Sequence, residues 1–354
     1  MNFYKNLVKK LNKENTVLLS EGGNSAEFSG WIDTGSYALN ALVSGSMYGG
    51  IPNNKIVALA GEEATGKTYF ALGMVDSFMK TDPEAGVNFN DTESAVTEEM
   101  MKARGIDPER LILTEPSTVQ EFRTEALNLI ELYSAEKKAP PLMMVLDSLG
   151  QLSTTKEIED TAAGKETKDM SRAALLKATF RVLNLKLAKA KIPMIVTNHV
   201  YDVVGSYFPT KEMSGGSGLK YTASIILFLS KKKDKDGTEV IGNIIKVRAM
   251  KSRFTRQDKV VEVKLSYTSG LDRYYGLLPI AEKYGIFPKV GKKYEVSPGV
   301  TVFENKILKE PTRYYTPEVM EKLEKACATE FKYGPGEFMA DNDETDDEED
   351  SDIE

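Results

Sequence analysis

The stretch Gly61–Thr68 reads Gly-Glu-Glu-Ala-Thr-Gly-Lys-Thr and fits the phosphate-binding pattern G-x-x-x-x-G-K-[ST] at every fixed position. Gly61 and Gly66 let the backbone curl, so the amides of Glu62, Glu63, Ala64 and Thr65 can point at phosphate oxygens. Lys67 is expected to reach the β- and γ-phosphates, and the Thr68 hydroxyl to meet Mg²⁺. Asp147 closes an apolar run, Leu142–Asp147, where a nucleoside triphosphatase needs a second Mg²⁺ position through water. The competing reading of Asp147 is a cap on the turn that follows. Ser148 beside it can bridge the site to the neighbouring loop. Hydrolysis also needs a group that orients or deprotonates water. Glu93 is the candidate, with Asp91 as its competitor and an N-capping acid as the structural alternative. His199 is the chain's one histidine. Asn198-His199 ends an apolar run and opens a long loop, which suits a γ-phosphate sensor better than a packed ring.

These residues need a frame that brings them to one edge. Lys55–Ala60 is a short apolar run before the glycine turn, which suits a buried parallel strand. Thr68–Lys80 carries Phe70, Met74, Val75 and Phe78 at helical spacing, so the helix would aim its N-terminus at the anion. Strands are expected over Gly86–Glu93, Leu111–Thr114, Leu142–Asp147, Ile192–Asn198 and Ala223–Leu229. Helices are expected over Glu98–Ala103 and Val119–Ala135. Alternation of this kind predicts an α/β fold with a mostly parallel sheet covered on both faces. In such a sheet Glu93 and Asp147 share the carboxyl edge with the phosphate loop. Ile244–Ala249 and Lys259–Leu265 alternate like antiparallel additions. A helix over Gly276–Gly285, a hairpin over Lys289–Val296 and a helix over Thr316–Thr329 predict a small α+β C-terminal domain. The expected division is 1–30 for a leading helix and linker, 31–270 for the core, 271–340 for the small domain and 341–354 for a disordered tail.

The chain has 354 residues and ordinary apolar and charged fractions. One cysteine, Cys327, excludes an intrachain disulfide framework and a cysteine zinc cluster, and fits a reducing compartment. A packed or surface thiol is the expected role, since no partner histidine is evident. No apolar run approaches the roughly 18 residues that span a bilayer, and the N-terminus lacks a signal-peptide core. The net charge of −7 is uneven: Asp341–Glu354 holds ten acids, and the remainder carries +3. That asymmetry points to a polyanion partner with a competing acidic mimic; a solubilising tail is the alternative. Residues 1–14 read as a basic amphipathic helix with Phe3, Leu7, Val8 and Leu11 on one face. A neighbouring subunit or the chain's own core must cover that face.

Two stretches suit single-stranded nucleic acid, where bases stack on aromatics and phosphates meet cations. Tyr201–Gly218 combines Tyr201, Tyr207 and Phe208 with glycines that include Gly215 and Gly216. Ser153–Thr167 is polar, with Lys156 and Lys165. The helix after it is expected to bury Ala173, Leu176, Phe180, Leu183 and Leu187. It carries Lys177 and Arg181 at i, i+4 on one flank, for which a solvated basic flank is the alternative.

The ordered set Trp31–Gly50, the phosphate loop, Asn90-Asp-Thr-Glu93, Leu146-Asp-Ser-Leu149, Thr197-Asn-His199 and Gly215–Tyr221 resembles the RecA recombinase family. The likeness is strongest to the phage UvsX recombinases, through Asn198-His199, Lys251-Ser-Arg253, Met170-Ser-Arg172 and the acidic tail. It runs over most of residues 31–300. It implies a RecA-like phosphate-loop core, an N-terminal polymerisation helix, and an ATP- and Mg²⁺-dependent DNA strand-exchange recombinase. The expected partners are single-stranded DNA, homologous duplex DNA, further copies in a helical filament, and loading and single-strand-binding proteins. The cytoplasm of a phage-infected bacterium is the implied location. Position by position, the resemblance implies that Glu93 is the catalytic glutamate. His199 replaces a glutamine that couples γ-phosphate to the second DNA loop. The DNA loops fall at about 153–168 and 201–217, with Arg172 and Arg181 as DNA contacts. Lys251 and Arg253 reach the neighbour's ATP, like an arginine finger. Tyr221 matches an interface aromatic. Met100 departs from the pattern, standing where the family has a base-stacking tyrosine. A ring helicase and a non-enzymatic recombination mediator use the same core and are the alternative functions.

Overall fold

The computed structural model describes residues 3–11, 16–22, 24, 26–165, 170–202 and 211–334. Tyr207, Phe208, the end of the first DNA-loop stretch at 166–168 and the acidic tail 341–354 lie outside the described residues.

α1 (Phe3–Leu11) buries none of its side chains, and Phe3, Tyr4, Leu7 and Leu11 are exposed. Next come β1 (Trp31–Ile32), α2 (Tyr37–Ser44) and β2 (Ile51–Pro52). Ser36 caps α2 through its side chain, and left-handed Gly45 ends it. The phosphate loop lies between β3 (Ile56–Gly61) and α3 (Lys67–Met79), followed by β4 (Gly86–Asp91), α4 (Glu98–Ala103) and β5 (Leu111–Thr114). α5 (Val119–Ala135) opens with a capping box of Thr118 and Glu121. It leads to β6 (Leu142–Asp147), α6 (Thr155–Ala162), α7 (Arg172–Ala190), β7 (Met194–Asp202), β8 (Lys211–Met213) and α8 (Ser217–Thr222). β9 (Ile225–Asp236), β10 (Glu239–Ser252), β11 (Val260–Ser266) and β12 (Gly270–Leu271) complete the core.

The large sheet runs β12-β11-β10-β9-β3-β7-β6-β4-β5, with β8 paired to β7. From β9 to β5 the neighbours are parallel; β10, β11 and β12 add on antiparallel. Both faces are covered, and β3 shows it at period two. Val57 and Leu59 join the layer built with α2 and α3, whereas Ile56, Ala58 and Ala60 join the layer built with α5 and α7. The α/β expectation is therefore met.

The C-terminal unit holds α9 (Leu278–Lys283), β13 (Lys289–Val290), β14 (Lys293–Ser297), β15 (Val300–Phe303), α10 (Glu304–Lys309), α11 (Pro311–Tyr314) and α12 (Pro317–Phe331). The expected hairpin is a three-stranded sheet, because the Pro298-Gly299 turn returns the chain along β14. Cys327 is fully buried and burial raises its thiol pKa, which fits the packed role.

Three further expectations need correction. The polar stretch after Ser153 contains a helix, α6, because Thr154 and Glu157 form a capping box. The glycine-rich stretch is not wholly loop, since β8 and α8 lie within it. Ala173 is exposed, unlike Leu176, Phe180, Leu183 and Leu187, because the buried stripe of α7 runs out at the helix's first turn.

Candidate nucleotide site and its two edges

β3 ends at Gly61, and a Cβ there would lie 2.5 Å from Thr65 Oγ1 and 2.8 Å from the Leu229 carbonyl oxygen. Only glycine lets the loop pass this close to β9. Gly66 has φ +87° and begins α3. The Lys67 side chain folds back, and its ammonium donates to the carbonyls of Gly61 at 3.1 Å and Glu62 at 2.8 Å. Burial lowers its pKa, while Glu93 and Asp147 oppose that shift. A nearly buried ammonium turned onto its own loop, at a helix N-terminus, suits an incoming phosphate.

The acidic half of the site is assembled by strand register. Asp91 on β4 pairs with Asp147 on β6, and Gly61 pairs with His199 on β7. Asp91 accepts from the amides of Glu93 at 3.0 Å and of Ala95 and Val96 at 2.8 Å each. It is a cap on the loop, and it leaves Glu93 as the carboxylate free to face the site. Glu93 Oε1 accepts from Ser148 Oγ at 2.7 Å and lies 3.3 Å from His199 Nε2. Asp147 accepts from the Thr197 hydroxyl and is hydrogen-bonded to Thr68. Burial raises the Asp147 pKa, the hydroxyls of Thr197 and Thr68 oppose the rise, and Glu93 and Asp91 add to it. Thr68 and Asp147, the residues expected at Mg²⁺, thus meet beside the phosphate loop. The described residues hold no cluster of three or more His, Cys, Asp or Glu fit for a metal. A hydroxyl and one carboxylate fit a hydrated Mg²⁺ carried in on phosphates.

Sequence reasoning missed the residues that brace this site. The Thr92 amide donates to the Asp147 carbonyl, and its hydroxyl both donates to the Ser148 carbonyl and accepts from the Ser148 amide, each at 2.8 Å. Asn198 ties the His199 segment to the glycine-rich stretch, its Nδ2 donating to the Ser214 carbonyl at 2.9 Å. Thr92 and Thr197 stand inside the runs Asn90-Asp-Thr-Glu93 and Thr197-Asn-His199, but no role was read for either; their bracing follows from strand register.

Lys251 and Arg253 stand at the other edge of the sheet. The Arg253 amide donates to the Ser224 carbonyl at 3.1 Å, and the Ser224 amide to the Ile56 carbonyl at 2.9 Å, at the start of β3. At about 3.3 Å per residue along β3, that is some 15–20 Å from the phosphate loop. Neither cation is within reach of its own chain's phosphate loop. Lys251 Nζ donates to the carbonyls of Lys220 at 2.9 Å and Tyr221 at 2.8 Å, while Arg253 is exposed. Tyr221 is exposed beside them.

The expected DNA contacts divide. Lys177, Arg181 and Tyr201 are exposed. Arg172 is committed internally: its guanidinium donates to the carbonyls of Leu152 at 2.9 Å, Gly150 at 3.1 Å and Leu149 at 3.3 Å. Gly215 and Gly216 have positive φ, and a Cβ on them would meet Leu176 at 2.9 Å and Ala173 at 3.0 Å. These glycines seat the stretch against α7. Met100 lines an open groove of about 640 Å³ with Tyr69, Arg104 and Tyr267, where the Arg104 guanidinium lies 4.5 Å over the Tyr69 ring.

A family profile described as the RecA N-terminal domain matches residues 3–272. The "Recombination and repair protein" of Enterobacteria phage T4 is 31% identical over 251 residues, 71% of this chain and 63% of that protein. The aligned stretch thus spans a little under two thirds of the phage relative's length. "Protein RecA" of Lactobacillus delbrueckii subsp. bulgaricus is 32% identical over 269 residues, 74% of this chain and 76% of its own length. "Protein RecA" of Chloroherpeton thalassium is 30% identical over 266 residues, 73% of this chain and 70% of that protein.

Proposed function

We propose, from the premise that this chain belongs to the RecA family, that it is an ATP-dependent DNA strand-exchange recombinase acting as a filament on single-stranded DNA. The observation that carries the reading is the meeting of Glu93, Ser148 and His199 beside a phosphate loop whose Lys67 and Thr68 face Asp147.

Lys67 leaves the loop carbonyls and neutralises the β- and γ-phosphates of ATP. Thr68 and Asp147 would hold Mg²⁺, which when bound would supply positive charge beside the phosphates. Glu93 orients and deprotonates the attacking water, with Ser148 fixing the carboxylate's rotamer. His199 senses the γ-phosphate through Glu93 and passes its presence to Ser214 through Asn198. Lys251 and Arg253 act on the neighbour's ATP, which their place on the opposite edge supports. α1, with its uncovered apolar face, docks on the next subunit. Lys177, Arg181 and Tyr201 contact the strand, whose recognition is sequence-tolerant and salt-dependent. Among the described residues no helix is long and apolar enough to cross a membrane.

The test is ATP hydrolysis with and without single-stranded DNA at two protein concentrations. Stimulation that rises cooperatively with protein concentration is the expected result. Hydrolysis indifferent to both would leave a self-contained phosphate-loop enzyme and remove the filament reading.

A further inference from the structure

The phosphate loop is joined to the glycine-rich stretch by a contact outside the Glu93–His199 line. Glu62, the second residue of the loop, forms an ion pair with Lys211 at the start of β8. Lys211 stands opposite Asp202 in the β7–β8 register, and Asp202 Oδ1 lies 3.9 Å from the ammonium. β7 and β8 are the outgoing and returning limbs of the second DNA-loop stretch, so Glu62 pins the returning limb. The same Glu62 offers its carbonyl to Lys67 at 2.8 Å and to the Thr65 hydroxyl at 2.8 Å. Lys231 holds the next residue, donating to the Glu63 carbonyl at 3.2 Å. Glu62 therefore joins, within one residue, the lysine expected to bind phosphate and a lysine beside the DNA-binding stretch.

We propose that Glu62 and Lys211 form a latch through which the phosphate loop controls a DNA-binding cation. The idea rests on the recombinase reading above. Lys67 anchors the Glu62 backbone and Glu62 occupies the Lys211 ammonium. When ATP binds, Lys67 moves to the phosphates and its bond to the Glu62 carbonyl is lost. The loop then reshapes at Glu62, and Lys211 is freed for the DNA backbone. Both side chains are partly exposed, so the pair is weak enough to open and its effect is graded rather than absolute.

The test is fluorescence anisotropy of a labelled oligodeoxythymidylate with the full chain, nucleotide-free and with a saturating, slowly hydrolysed ATP analogue. For the unsubstituted chain the analogue should tighten binding; if it does not, the recombinase reading and the latch fall together. Glu62→Gln should tighten nucleotide-free binding about two- to fivefold. Lys211→Gln should weaken analogue-bound binding and lower the slope of log Kd against log salt by about 0.7, the share of one single-strand phosphate contact. In the Lys211→Gln background, Glu62→Gln should add nothing. Normal tightening by the analogue in the unsubstituted chain, with no nucleotide-free gain from Glu62→Gln, overturns the latch alone. So does a gain that persists without Lys211.

Discussion

Ser148 donates its hydroxyl to Oε1 of Glu93, the same oxygen that faces the His199 ring. One carboxylate oxygen therefore links the strand end that carries Asp147 to the strand end that opens toward the glycine-rich stretch. Glu93→Gln should keep ATP binding and lower DNA-stimulated turnover by about two to four orders of magnitude, the usual share of a general base. Nucleotide binding by filtration and phosphate release in the same preparation separate the two effects. Loss of binding together with turnover would assign Glu93 to holding ATP instead.

Lys251 and Arg253 lie at the sheet edge away from the phosphate loop, so each completed site should draw on two chains. An Arg253→Ala protein and a Glu93→Ala protein, each inactive, should recover activity when mixed. Random head-to-tail assembly at equal amounts predicts about a quarter of the sites intact. A flat line at every mixing ratio would show that the two residues do not share a site.

The C-terminal unit is tied to the core through Glu330. Its carboxylate accepts from Lys259 at 2.6 Å, Lys283 at 2.5 Å and the Tyr284 hydroxyl at 2.9 Å. Burial alone would raise its pKa, but these three donors outweigh it and hold the value at about 2, below the ordinary 4.5. A depressed carboxylate stabilises the folded state fully above its unfolded pKa. That contribution is lost as pH falls from about 4.5 toward 2. Glu330→Gln should lower stability near neutral pH by about 1–3 kcal/mol and flatten the acid limb of a thermal-melting series. Unchanged acid sensitivity would move the titration to another carboxylate.

Deleting Asp341–Glu354 removes ten acids from a chain whose remainder is net positive. Affinity for single-stranded DNA should rise, and its dependence on magnesium should flatten, because the tail no longer competes for the basic surface. Equal affinity with and without the tail would leave it a solubilising segment.

The meeting of the phosphate loop, Asp147 and Glu93 at one sheet edge was legible because each stands beside an apolar run of strand length. The choice of Glu93 over Asp91 was less direct. Both are acids at one strand end, and the three amides that occupy Asp91 come from the fold of the following loop. Thr92 and Thr197 were illegible, since a threonine gains its role only when β4, β6 and β7 align. Arg172 and the pair Gly215 and Gly216 have structural partners that their residue types do not announce. Their composition suggests nucleic acid, yet the guanidinium is taken up by three carbonyls and the glycines by close approach to α7. Cations and glycines look alike in sequence whether they face a ligand or a neighbouring turn.

The sheet carries acids and the phosphate loop at one edge, and Lys251 and Arg253 at the other. On the proposed reading, subunits stacked in one direction through these edges would make a polar polymer with one fewer complete site than it has subunits. One terminus would present a nucleotide pocket without its cations, and the other cations with no pocket to serve. The subunit whose pocket is incomplete would then retain its triphosphate while interior subunits turn theirs over, which sets one end of the polymer apart from its interior.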